Sequence, residues 1–360
     1  MNIWTKKVVI AIFVVANYIQ NWVKAEPEVP CFFIFGDSLV DDGNNNQLPT
    51  SAKVNYPPYG IDFPNTTPTG RFTNGQTTVD LLGSLLGLDN FIPSFTTAKE
   101  PEILKGVNYA SGSAGIREET GQQLGAHISL DRQLQNHQTI VSRIIVKLGS
   151  REAAKDHLSK CLYYVGMGSN DYINNYFKPQ SPTSRLYTPE KYAEVLVQQY
   201  HNQIMGLYNN GARKVALFGV GLIGCIPYAI SAFGTNGSAC VDHINNAALL
   251  FNKQLIALVD QLNNNLTDAK FIYVNIFGIS SGDPRSVGFT VLNVGCCPTN
   301  KVGQCTPLKT PCQNRSSYVF WDSFHPTEAV NQFTARRSYI AHLPSDTYPI
   351  DISHLVKLKL

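Results

Sequence analysis

Short apolar runs recur along the chain, and each leads into a longer stretch whose apolar positions follow helical spacing. Cys31 to Phe35 reads as a buried strand. Thr78 to Leu86 reads as a helix with Val79, Leu82, Leu85 and Leu86 on one side, and Gly106 to Ala110 as a short strand. From Leu130, the positions Leu134, Val141, Ile144, Ile145 and Leu148 predict a helix that Gly149 closes. Cys161 to Val165 is the next strand. Thr188, Pro189 and Glu190 then supply a cap, a first-turn proline and an acid, opening a helix that runs through Tyr192, Val195, Leu196, Ile204 and Leu207 to Gly211. Lys214 to Phe218 is a strand, Val241 to Leu262 a long helix and Phe271 to Ile276 a further strand. Strands that are apolar throughout and alternate with helices predict an α/β fold. The expected form is a three-layer α/β/α sandwich around a five-stranded parallel sheet covered on both faces. In such open sheets ligands bind at the carboxyl ends of the strands, which is where chemistry is sought.

The first 25 residues follow a different pattern. Lys6 and Lys7 precede an unbroken apolar run from Val8 to Ala16, and Val23-Lys24-Ala25 has the small-x-small form of a signal-peptidase site. This predicts a cleaved secretory leader over residues 1–25. The run falls short of the roughly 20 residues needed to span a bilayer, so no stable membrane span is expected. No repeat, low-complexity tract or linker divides residues 26–360, which read as one domain.

That leader changes the charge. The whole chain carries 29 Lys+Arg against 26 Asp+Glu; removing Lys6, Lys7 and Lys24 leaves 26 of each, a net charge of zero. Charged residues make up 15% of the chain against roughly 25% in ordinary soluble proteins. No phosphate-binding footprint exists, and nucleic acid is excluded as a partner. Four sequons, at Asn65, Asn236, Asn265 and Asn314, suit a secreted glycoprotein in which glycans supply the solubility that charge does not.

All eight cysteines follow the leader, and an even count in a secreted chain suggests disulfides. Cys296, Cys297, Cys305 and Cys312 crowd among Pro298, Pro307 and Pro311, where a cross-linked loop is expected; Cys225 and Cys240 are expected to form another local bridge. A zinc cluster is the rival reading, but secretory conditions favour bridges over thiolate ligands.

Candidate chemistry sits at strand ends. The first strand runs into Gly36-Asp37-Ser38-Leu39, delivering the Ser38 hydroxyl at the sheet's carboxyl edge. A serine hydroxyl needs a base, usually neutral imidazole, and an acidic group to orient that ring. Asp322 and His325, three apart in Trp321-Asp322-Ser323-Phe324-His325-Pro326-Thr327-Glu328, lie in a turn just before a helix. No metal-ligand spacing accompanies them. Acyl transfer also builds negative charge on a carbonyl oxygen, and each well-placed donor to it is worth on the order of 3 kcal/mol. The candidate donors are the N–H of Ser38, the N–H of Gly112 and the side-chain amide of Asn170, each at or just beyond a strand end.

Several ordered blocks carry a resemblance. Residues Phe33 to Asn45, the Asn108 to Gly112 segment, Gly168-Ser169-Asn170-Asp171-Tyr172 and Asp322-x-x-His325-Pro326-Thr327-Glu328 resemble the motifs of the plant GDSL esterase/lipase family, within the SGNH hydrolases. The likeness extends through Cys225-Ile226-Pro227, Cys240-Val241-Asp242 and the cysteine-rich stretch to Tyr318. It implies a flavodoxin-like fold, a Ser38 nucleophile, a His325 base held by Asp322, and an oxyanion hole from Ser38, Gly112 and Asn170. Many relatives carry a second glycine where Ser113 stands; were residue 113 the donor, its N–H would still serve, with the side chain narrowing the cleft.

The expectation is a secreted serine hydrolase of carboxylic esters, lipid-like or other small-molecule acyl esters, working through an acyl-enzyme and requiring no cofactor or metal. Acyl transfer to an alcohol would use the same residues, and a non-catalytic binding or defence protein on this fold is the rival from another class. Ser38 lies outside any Gly-x-Ser-x-Gly elbow, which separates the chain from the α/β-hydrolases. The sequence fixes neither oligomeric state nor substrate. Tyr172, Tyr176, Phe177 and Phe324 are candidates to line the cleft.

Overall fold

A strand apolar at every position suits a sheet covered on both faces. In the computed structural model, which describes residues 26–360, the first such strand is β1, Phe32–Gly36. Its side chains alternate: Phe33 and Phe35 enter one core, and Phe32 and Ile34 enter another on the opposite face. The expected leader over residues 1–25 lies outside the described residues.

Strands β2 (Leu162–Gly166), β3 (Lys214–Phe218) and β4 (Lys270–Val274) continue the sheet in parallel, with Phe35 opposite Val165, Val165 opposite Leu217 and Leu217 opposite Tyr273. Two further short strands, β5 (Val291–Gly295) and β6 (Tyr318–Phe320), form a separate parallel pair. β7 (Thr347–Tyr348) returns to the main sheet beside β4, antiparallel, giving the order β1-β2-β3-β4-β7.

The expectation of five parallel strands is therefore corrected at both edges. The fifth place is taken by β7, a two-residue antiparallel strand too short to show any periodicity. The segment expected as a strand over Gly106 to Ala110 does run beside β1. Ile34 N–H donates to Val107 O at 3.1 Å, and Tyr109 N–H donates to Ile34 O at 2.8 Å. Phe32 N–H also donates to Lys105 O at 3.0 Å and Ser111 N–H to Gly36 O at 3.1 Å, but Gly36 N–H, the next donor of β1, is taken by the Gln133 side chain, and only the isolated bridge between Ile34 and Asn108 has regular ladder geometry.

Helices cover both faces. On one side lie α1 (Thr78–Leu85), begun by a reciprocal Thr77–Asp80 capping box, together with two helices from the end of the chain described below. On the other lie α2 (Leu130–Leu148), α3 (Arg151–Ser159), α4 (Pro189–Asn209) and α5 (Asp242–Asn265). Their caps follow the local sequence. Gly149 ends α2 at φ +81°, a left-handed conformation that glycine adopts without steric cost, and the Thr188 side chain accepts from Lys191 N–H to open α4. The remaining two, α6 (Glu328–Tyr339) and α7 (Ile352–Lys357), send Ala335, Tyr339, Ile352 and Leu355 into the same core as Val79 and Leu82 of α1.

A third, smaller core holds the cysteine-rich loop: Val54, Tyr59, Phe72 and Trp321 pack around Cys296, Cys297 and Cys305. All eight cysteines are paired. Cys296–Cys312 and Cys297–Cys305 form the expected cross-linked loop, Cys225–Cys240 is the expected local bridge, and Cys31–Cys161 joins the starts of β1 and β2. Among the described residues, no helix is long and apolar enough to cross a membrane.

Candidate active site

Ser38 is presented by a turn that the residues around it hold from several sides. Gly36 must be glycine, because a Cβ there would come within 2.6 Å of Val40 Cγ2. Both of its backbone groups are clasped by one side chain of α2: Gly36 N–H donates to Gln133 Oε1 at 3.0 Å, and Gln133 Nε2 donates to Gly36 O at 2.8 Å. Beyond it, the N–H groups of Val40 and Asp41 donate to Asp37 O, and that of Leu39 to Asp37 Oδ1. This leaves the Ser38 N–H with no partner among the described residues.

An asparagine network ties this turn to the Asn108–Gly112 segment. Asn44 Nδ2 donates to Asn108 O and Ala110 O, Asn108 Nδ2 donates to Val40 O at 2.7 Å, and Asn45 Nδ2 donates to Gly112 O at 3.0 Å. Each of these side chains is buried, so each supplies partners to backbone groups that would otherwise be desolvated at a cost of about 1–3 kcal/mol.

The candidate acid and base arrive from the other end of the chain. His325 Nε2 lies 2.8 Å from Ser38 Oγ, across 287 residues of sequence. Its Nδ1 lies 2.8 Å from Asp322 Oδ2 and 2.9 Å from Oδ1. A carboxylate accepts only, so Nδ1 carries the ring proton and Nε2 is left as an acceptor for the serine hydroxyl. Asp322, fully buried, also accepts the N–H groups of Phe324 and His325 at 2.8 Å each. These bonds close the turn and explain the spacing of three: the carboxylate that orients the ring also folds the loop that carries it.

A further donor to Asp322 was not anticipated. Tyr59 Oη–H donates to Asp322 Oδ2 at 2.7 Å and accepts from Cys305 N–H at 3.0 Å. Burial, with the negative charge of Asp322 next to it, pushes the Tyr59 phenol well above its ordinary value, so it stays protonated and donates. No local pattern relates residue 59 to residue 322.

The candidate oxyanion donors are treated unequally. Asn170 Nδ2 donates to Ala114 O at 2.9 Å, and its Oδ1 accepts from Asn174 Nδ2 at 2.7 Å, which fixes the amide's orientation. The second Nδ2 hydrogen has only Asp37 Oδ2, at 3.5 Å, the outer limit of a hydrogen bond. Gly112 differs from expectation: its N–H donates to Asp41 Oδ2 at 2.8 Å and is already spent. The next N–H, that of Ser113, has no partner among the described residues. Ser113 holds φ +65°, a conformation natural to glycine. Asp37, buried directly before Ser38, is pushed up to about 6 by burial.

A cavity of about 740 Å³ is lined by Asp37 and Leu39, the sequence neighbours of Ser38, and by Phe324 and Pro326, those of His325. Of the four aromatic candidates only Phe324 lines it; Tyr172 and Tyr176 are buried in the core, and Phe177 packs against that core. The four sequon asparagines, Asn65, Asn236, Asn265 and Asn314, are all solvent-exposed.

Comparison with known proteins adds an independent observation. Residues 32–338 match the family model described as GDSL-like lipase/acylhydrolase. The chain is 53% identical to an Arabidopsis thaliana protein named as a GDSL esterase/lipase, across 93% of this chain and 94% of the relative. Two others from the same plant, named likewise, are 52% identical over 98% of this chain and 99% of theirs, and 49% over 97% and 98%.

Proposed function

This chain belongs to the GDSL-like lipase/acylhydrolase family, and from that premise we propose that it is a serine carboxylic-ester hydrolase in which Ser38, His325 and Asp322 form the catalytic triad. The observation that carries this reading is the unbroken relay from Ser38 Oγ through His325 Nε2 and Nδ1 to Asp322. Ser38 Oγ attacks the ester carbonyl carbon while its proton passes to His325 Nε2. Asp322 stabilises the imidazolium that results, and Tyr59 keeps the Asp322 carboxylate in place as it does so. The oxyanion takes its donors from the Ser38 N–H, the spare hydrogen of Asn170 Nδ2 and the Ser113 N–H, which replaces Gly112 in this role because Gly112 is committed to Asp41. Collapse expels the alcohol, which takes the proton from His325. Water, activated by the same imidazole, then releases the acid from the acyl-enzyme and regenerates Ser38.

The strand order supports a flavodoxin-like reading: with the 105–111 segment counted beside β1, the parallel order follows the 2-1-3-4-5 pattern of that fold. Residues 26–360 act as one domain. Four disulfides, four exposed sequons and a leader pattern at residues 1–25 support secretion and glycosylation. Ser38→Ala tests the reading. Hydrolysis of short-chain aryl esters is expected to vanish while the circular dichroism spectrum is unchanged; retained turnover contradicts it.

A further inference from the structure

Asn314, one of the four exposed sequon asparagines, differs from the other three in its setting: it lines a cavity. The volume is about 490 Å³, within the ~300–1,000 Å³ range of sites that enclose a small molecule. Asn65, Asn236 and Asn265 line neither this cavity nor the one of about 740 Å³. The walls are the loop before α1, Leu81 of that helix, residues 313–316 just past Cys312, and the first turns of α6. The cavity therefore sits where the bridged loop meets two helices, one of which begins three residues after His325.

Its lining suits a neutral ligand rich in hydroxyls. Arg315, the only basic lining group, is committed: its Nε and Nη2 donate to Asp62 Oδ2 and Oδ1 at 2.6 and 2.8 Å. Asn74 Nδ2 also donates to Asp62 Oδ2, at 2.8 Å. An anion would find no free cation there. A metal ion would find a single free carboxylate oxygen, Glu328 Oε2, because Glu328 Oε1 accepts from Gln76 N–H at 2.9 Å. That oxygen and the side-chain amides of Gln76, Gln313 and Gln332 have no hydrogen-bond partner among the described residues. Amides donate and accept, a carboxylate accepts, and Leu81 and Ala329 add an apolar patch. An N-acetylated sugar matches each part, with hydroxyls for the polar groups and ring C–H and acetamido methyl for the apolar patch.

We propose that the first N-acetylglucosamine of a glycan on Asn314 is seated in this cavity and fastens the bridged loop to α1 and α6, whereas glycans on the other sequons stand free in solvent. This rests on the glycosylation reading. Ser316 Oγ–H donates to Asn314 Oδ1 at 2.9 Å, and Asn314 Nδ2, the atom that would carry the sugar, has no partner among the described residues.

The test uses the full protein secreted from a mammalian cell line that makes only high-mannose glycans. Digestion of the native protein with a peptide N-glycosidase in water enriched in heavy oxygen marks each released asparagine as labelled aspartate, read by peptide mass spectrometry. Asn314 is expected to be released at least about tenfold more slowly than the other occupied sequons, a difference of about 1.4 kcal/mol, and at their rate once the protein is reduced and denatured. Ala329→Phe, which fills the cavity from α6, is expected to bring native release at Asn314 up to the rate of the others. Trimming to a single N-acetylglucosamine is expected to leave the melting temperature unchanged. Ser316→Ala, which abolishes this sequon, is expected to lower it by about 3 °C, Ser316→Thr to keep it, and Ser238→Ala to change it by about 1 °C or less. Native release at Asn314 as fast as at the other sequons, or a rate unmoved by Ala329→Phe, overturns the proposal. Failure of the glycosylation reading is seen separately, as no label at Asn314 even after denaturation.

Discussion

Ser38 and His325 meet at 2.8 Å, yet the two regions that bring them there are held by different means. The serine side is an extension of the sheet: a buried strand, a glycine clasped by Gln133, and asparagine side chains that satisfy the backbone from within. No disulfide lies at that end. The candidate acid–base side is a turn between the short strand β6 and the start of α6, and two disulfides with a small core of their own support it. Loop backbone carries few hydrogen bonds of its own and a large entropic cost of ordering, so a catalytic turn outside a sheet needs covalent or side-chain support. Precision is supplied by hydrogen bonding alone on one side, and on the other by cross-links together with the hydrogen bonds to Asp322.

The largest effect that would sharpen this contrast is at Asp322. Asp322→Asn keeps the shape of the loop but favours the wrong tautomer of His325, and kcat is expected to fall by about four orders of magnitude with little change in melting temperature. A comparable loss in melting temperature would mean that the carboxylate mainly folds the loop.

Next comes Tyr59, the strut between the bridged loop and the acid. Tyr59→Phe removes one hydrogen bond to a charged group, worth about 1.5–3 kcal/mol, so a drop of about tenfold or more in kcat is expected. An unchanged kcat would leave Tyr59 a packing residue.

The disulfides allow a crossed comparison. Cys31–Cys161 closes a separation of 130 residues and Cys297–Cys305 one of 8, for which chain-entropy arguments give about 5 and about 2.5 kcal/mol. Replacing the first pair by serine is expected to cost more melting temperature and leave kcat nearly intact. Replacing the second is expected to cost less stability and more activity, because Cys305 N–H holds Tyr59. Equal losses of activity from the two pairs would break the comparison.

A last effect is electrostatic and concerns buried carboxyls around the serine turn. Asp37, Asp41 and Asp171 are each pushed up to about 6 by burial. In the unfolded chain they titrate near 3.8, so between about pH 4 and pH 6 the folded state binds protons that the unfolded state has released. Stability from these groups is therefore greatest at the acidic end of that window and declines as pH rises through about 6. Denaturant unfolding is expected to show higher stability near pH 5 than near pH 7; the reverse order would mean these carboxyls are ionised at little cost.

Much of this was legible in the sequence where the signal is local. The strand Lys214–Phe218 and the helix Leu130–Leu148 with its terminal Gly149 follow directly from apolar spacing and turn chemistry. Ser38, Asn170, Asp322 and His325 stood out because strand ends and the three-residue spacing mark them. What sequence did not carry was contact across long separations: Gln133 on Gly36, Tyr59 on Asp322, and Asp41 on Gly112, which removes the expected donor and leaves its neighbour Ser113 free. β7 has only two residues and no pattern of its own.

The central claim is that Ser38 is made nucleophilic by a base delivered on a cross-linked loop. A fluorophosphonate probe followed by peptide mass spectrometry reads this directly. The expected result is a single adduct on Ser38 in the native enzyme, lost in His325→Ala and strongly slowed in Cys297→Ser with Cys305→Ser. Labelling at another serine, or labelling of Ser38 at an undiminished rate without His325, would contradict it.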